Sequence, residues 1–164
     1  MWFFMITCYI ASFLTLAMLI VSGLQGYFGF SVLNANHPTF ALLTIIVYLF
    51  TETLIIFFFV GVGISIKEYV LEKHLPVDFH KKSIAIKRRV YPPILLNILL
   101  MMILFISGGA VDTGRIPVFS HTVLYFVGLG HFLKTLAVEH VCFKESTSIV
   151  LEMSGVTQGI STVS

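Results

Sequence analysis

The longest apolar run of the chain, Phe40 to Ile66, carries one carboxylate near its middle, Glu52. An acid at the centre of a membrane span costs about 2.5–3.5 kcal/mol on insertion scales, so it marks a functional-site candidate and calls for a partner. Tyr48 precedes it by one helical turn, and His37 precedes Tyr48 by about three turns, so the three share a face of one helix. A later segment presents His121, Tyr125, Gly128, Thr135 and Glu139 along one stripe, with His131 and Lys134 on an adjoining one. At ~1.5 Å rise per residue, Glu52 is roughly 22 Å from the start of its helix and Lys134 roughly 20 Å from the start of its own. The matched depths predict a Glu52–Lys134 ion pair. His37 and His121 fall level with each other at the mouths of the two helices, and His131 falls roughly 15 Å deep.

Three chemistries use these residues. Imidazoles on facing helices ligate haem iron, so His37, His121 and His131 are candidate ligands for haem b or a related tetrapyrrole, a chlorin pigment included. Gly128 and Gly130 would leave room for a flat macrocycle, and Arg115 could meet its propionates. A carboxylate near a histidine and a tyrosine is also the material of a proton relay or quinone site. Glu52 would then exchange protons, His131 or Tyr48 would hydrogen-bond a quinone carbonyl, and Lys134 would bias the ionisation of Glu52. In the third chemistry Glu52 and Lys134 only neutralise each other and fix helix register. Polar contacts between membrane helices average about 0.6 kcal/mol, which makes this modest glue. His37 would then belong to a helix start beside Pro38, and His121 would cap the last helix.

Weaker features surround this set. Asn97 sits near the inner face and is expected to donate to a backbone carbonyl. His140, Glu139 and Cys142 form a conceivable inner metal site. Cys8, with Thr7, Ser12 and Thr15, makes a mild polar stripe toward a neighbouring helix, and Gly61, Gly63 and Ser65 permit close helix approach. The two cysteines, Cys8 and Cys142, show no metal-ligand spacing. No HExxH, GxSxG or phosphate-loop pattern occurs, so enzyme chemistry of those kinds has no carrier.

The elements that position these residues follow from composition. The chain has 164 residues, of which 57% are hydrophobic and 11% charged, against roughly 25% charged in a soluble domain. It reads as an all-α integral membrane four-helix bundle occupying 1–145, with spans at about 2–22, 38–66, 92–110 and 119–143. Pro92 and Pro93 suit the first turn of the third span. Trp2–Gly23 has no basic residues before it and no small-residue cleavage site, so it reads as a retained span. The connection 67–91 holds Lys67, Lys73, Lys81, Lys82, Lys87, Arg88 and Arg89, whereas Leu24–His37 has no Lys or Arg and Gly109–His121 only Arg115. The positive-inside rule then places the basic loop and both termini in the cytoplasm. That loop is expected to hold a short interfacial helix and to attract anionic lipid, and its lysines and arginines lie too close to the membrane to suit nucleic acid. The tail 146–164, rich in Ser, Thr and Gly, is expected to have little regular structure. A faint two-fold similarity links Asn36-His37-Pro38 to Ser120-His121-Thr122.

The expected function is a transmembrane subunit of a redox or energy-converting complex. It would bind haem b or a related tetrapyrrole, or contribute to a quinone/proton site, in a bacterial inner membrane or an energy-converting organelle membrane. Its partners would be other subunits of that complex and lipid, and its role electron transfer or non-catalytic. The alternatives are a cofactor-free accessory subunit and a small oligomeric proton-coupled transporter.

Overall fold

The computed structural model describes residues 2–161, with side chains through 155. The chain is all-helical, with four helices: α1 (Trp2–Phe28), α2 (His37–Glu72), α3 (Asp78–Asp112) and α4 (Val118–Ser161). α1, α2 and α3 are long and apolar enough to cross a membrane, which suggests a membrane protein. α4 is longer but more polar, because His121, His131, Lys134, Glu139 and His140 interrupt its apolar residues.

Each helix buries residues at spacings of three and four, the period of one helical face. On α1 this stripe is Cys8, Ser12, Thr15, Leu19, Ser22 and Gln25. It is small and polar, while Phe3, Ile10, Phe13 and Leu24 point outward. Apolar residues outside and small or polar ones inside is the distribution expected where lipid, not water, surrounds a bundle.

All four helices run further than the expected spans, α3 and α4 the most. α3 begins at Asp78 and carries Pro92 and Pro93 in its interior rather than in its first turn. Its buried stripe, Phe79, Ser83, Ile86, Val90, Ile94, Asn97, Met101 and Leu104, is unbroken across the prolines. Packing on this stripe holds the helix through two residues that cannot donate a backbone hydrogen bond. α4 continues through the segment expected to be irregular, because Ser146, Ile149 and Met153 extend its inward face. The last three residues of that segment lie outside the described residues. The basic connection is thus mostly the ends of α2 and α3, joined by a short turn at 73–77.

α1 packs on α2, α2 on α3 and α3 on α4, with a lighter contact between α1 and α4. α2 and α4 therefore face each other across the core and meet through large side chains. Phe143 of α4 packs edge-on to Phe58 at 4.8 Å and stacks on Phe59 at 5.0 Å. Nearer the middle, Phe132 meets Tyr48 edge-on at 5.7 Å. At the basic end, Lys82–Glu152 at 3.2 Å and Arg89–Glu145 tie α3 to α4.

Candidate functional site

Six polar side chains meet in the core between α2, α3 and α4: Tyr48, Glu52, Asn97, His131, Thr135 and Glu139. All are buried except His131, which is part-exposed. Asn97 is the bridge. Its Nδ2 donates to the Tyr48 hydroxyl at 3.0 Å, and its Oδ1 accepts from His131 Nδ1 at 3.2 Å. This assignment fixes the direction of the chain. The Tyr48 oxygen is occupied as an acceptor, so its own proton is left for Glu52, which stands beside it.

The Glu52 and Glu139 side chains face each other, with relative exposures of 0% and 2%. Both Glu52 oxygens and Glu139 Oε1 lack a well-formed hydrogen bond to any other group among the described residues. Two touching carboxylates in an apolar interior cannot both be ionised. One proton held between the two groups would satisfy the geometry and halve the charge. Beyond the pair, Thr15 of α1 and Thr51 of α2 share a hydrogen bond at 2.8 Å, which closes the core on its α1 side.

Lys134 does not join this site. The predicted Glu52–Lys134 pair is absent; Lys134 is exposed, and Glu139 occupies the place assigned to it. The reason is angular. Five residues from Glu139 at 100° each put Lys134 about 140° away around α4, whereas Thr135, one turn before Glu139, shares its face. Glu139 was visible in the sequence on the inward stripe, and its distance from the mouth of α4 hid it. Asn97 donates to Tyr48 rather than to a backbone carbonyl, and its place on the α3 stripe is the signal that points inward.

The histidine ends are organised separately. Asn36 caps α2 by accepting from the Thr39 amide at 3.2 Å and its hydroxyl at 2.7 Å, which puts His37 and Pro38 in the first turn. His121 lies one turn inside α4 rather than at its cap, and its Nδ1 shares a hydrogen bond with Ser107 at 2.8 Å. The two imidazoles come to the same end of the bundle. Each lies against a glycine of the preceding helix. A Cβ at Gly26 would stand 3.1 Å from His37 Cε1, and one at Gly108 would stand 3.4 Å from His121 Cε1. His37 Nδ1 is buried without a partner. His131 is not level with this pair and is committed to Asn97. Arg115 is exposed in the turn between α3 and α4.

The inner metal set does not assemble: Cys142 and Glu139 are buried, while His140 is exposed and pairs with Tyr9 at 2.8 Å. Among the described residues no three His, Cys, Asp or Glu side chains converge as a metal site. A cleft of about 510 Å³ opens at the basic end between α1, α2 and α4, lined by groups such as Phe4, Phe58, Val62 and Met153. Its walls carry no acid, histidine or lysine, so its chemistry is unrelated to the polar core. Comparison with family models, curated protein sequences and solved structures returned no match, so the site is read on its own residues.

Proposed function

We propose that this chain is a four-span membrane subunit, with both termini cytoplasmic, whose Glu52–Glu139 pair takes up and releases a proton for a redox or energy-converting complex. The observation that carries this reading is the burial of two carboxyl groups against each other at the end of a donor chain running from His131 through Asn97 and Tyr48. A pair holding one proton carries one negative charge, and a second proton removes it. Such a pair responds to charge arriving or leaving nearby, as at a quinone reduced by a neighbouring subunit. His131 is the part-exposed end of the chain; with its Nδ1–H given to Asn97, its Nε2 would accept from a quinol hydroxyl, or donate to a quinone carbonyl only as the imidazolium.

The test is Glu52→Gln in the native membrane complex. The proposal expects a complex of normal size whose proton-coupled turnover falls about a hundredfold or more, the scale of general acid–base contributions. Lost assembly with intact partner activity would instead identify a cofactor-free accessory subunit. Proton flux by this chain alone in sealed vesicles would identify a transporter.

One observation favours haem as a second reading: His37, with its buried unpartnered Nδ1, shares an end of the bundle with His121. These two residues would hold the iron, which would supply one-electron transfer, and Arg115 would face the propionates. A reduced-minus-oxidised spectrum of the purified subunit, with bands lost in His37→Ala, would support it; a colourless subunit would remove it.

A further inference from the structure

Lys134 presents an unanswered charge. It is exposed on the outer face of α4 and has no ion pair or hydrogen bond among the described residues. Its exposed neighbours on that face, Val127, Gly130, Ala137 and Val141, are apolar or small, and part-exposed His131 stands at its edge. In the four-span reading, on which this inference rests, Lys134 is roughly 22 Å from Phe119 and roughly 13 Å from Phe143 at the two ends of the span. A helical side chain leans toward its own N-terminus, here the histidine end and therefore away from the nearer headgroups. A charged side chain left in hydrocarbon is disfavoured unless it meets a counter-charge.

We propose that the Gly130–Lys134–Ala137 face of α4 docks a membrane helix of a different chain, and that this helix presents an Asp or Glu at the depth of Lys134. Charge complementarity sets the acid. The small residues Gly130 and Ala137, one turn to either side, let the partner backbone come close; nothing stands within 4 Å of a Cβ added at Gly130. A second copy of this chain does not fit. Its acids near that depth, Glu52 and Glu139, are sealed in its own core. Glu68, Glu72, Asp78, Asp112, Glu145 and Glu152 all lie beyond the ends of the expected spans. The partner's carboxylate would also sit near His131, which lies three residues before Lys134 on the same side of α4. Docking here would therefore place the partner at the outer end of the donor chain.

The experiment uses the full chain in its native membrane, with a photo-reactive amino acid at Ala137 and, as a control, at exposed Phe13 of α1. Cross-linked peptides are sequenced by mass spectrometry. The expected product at Ala137 is a membrane helix of another chain with an Asp or Glu within one turn of the linked residue. Its yield should fall about tenfold in Lys134→Gln and persist in Lys134→Arg, the scale of a close interfacial charge pair. Adducts only with lipid, with a second copy of this chain, or with a helix lacking an acid would overturn the proposal. So would a yield indifferent to Lys134→Gln. A membrane-impermeant amine reagent separates this failure from failure of the span itself. If it modifies Lys134 in intact membranes, α4 does not cross there; if it spares Lys134 and no acidic helix is linked, the docking proposal alone is wrong.

Discussion

Asn97→Leu tests the polar core at its bridge. The residue is fully buried, and it joins α2 to α4 through one bond to Tyr48 and one to His131. Leucine has about the same volume, so the change removes hydrogen bonding with little change in packing. Two interhelical bonds at about 0.6 kcal/mol each give about 1.2 kcal/mol, and at the upper end of about 1.7 kcal/mol each about 3.4 kcal/mol. The Tyr48 hydroxyl, sealed in the core, also loses its donor, which pushes the cost toward the upper figure. The expected loss is about 2–3 kcal/mol, read as the midpoint of reversible unfolding in mixed detergent micelles followed by circular dichroism. Asn97→Asp restores the shape and one acceptor but removes the donor to Tyr48, and it sets a third carboxyl beside the pair. It should be the less stable of the two at neutral pH and recover in acid. If Asn97→Leu unfolds at the wild-type midpoint and Asn97→Asp shows no acid recovery, the network carries no energy and the reasoning fails.

Other expectations concern different elements. In Gly23→Ala the new methyl overlaps the Tyr125 phenol, whose hydroxyl donates to the Leu19 carbonyl at 3.1 Å. The ring must shift, at a cost of about 1–3 kcal/mol by the same unfolding assay; a neutral outcome would mean α1 and α4 are looser there than described. Lys82 and Ser148 hold the Glu152 carboxyl below the usual carboxylate range. Its contribution is therefore present above about pH 4.3 and lost as pH falls through the lowered value in the folded protein. Because the pair is exposed, Glu152→Gln should alter thermal stability only slightly at neutral pH and not at all in ~1 M salt; a large salt-independent loss would contradict the surface assignment. Thr51→Val removes the bond to Thr15 and should loosen α1 from α2 by about 0.6 kcal/mol, measured as protease access to α1.

How much of this was legible in the sequence depends on what set each feature. The helices were legible, because long apolar runs leave few alternatives, and Glu52 stood out because nothing around it was charged. The ends of α3 and α4 were harder to read. Their segments at the basic end are amphipathic rather than apolar, and the α3 residues Phe79, Ser83, Ile86 and Val90 precede two prolines that conventionally open a helix. The partner of Glu52 was misread for a more general reason. Depth can be estimated from residue counts, but which face of α4 meets α2 depends on how both helices are rotated. A lysine of plausible depth therefore displaced an acid of the correct face. Opposite charges were also the simpler expectation, and a like-charged pair becomes stable only when a proton lies between its members. The convergence of His37 with His121 at one end was legible from their positions at two helix mouths.

Infrared spectroscopy of the reconstituted protein at neutral pH tests the shared proton most directly. The account predicts a protonated-carboxyl C=O band in the wild type, shifted in Glu52→Gln and in Glu139→Gln and gone in the double variant. The double variant is the control for the six acids outside the pair, which are exposed or part-exposed. A wild type without that band, or a double variant that keeps it unchanged, would contradict the account.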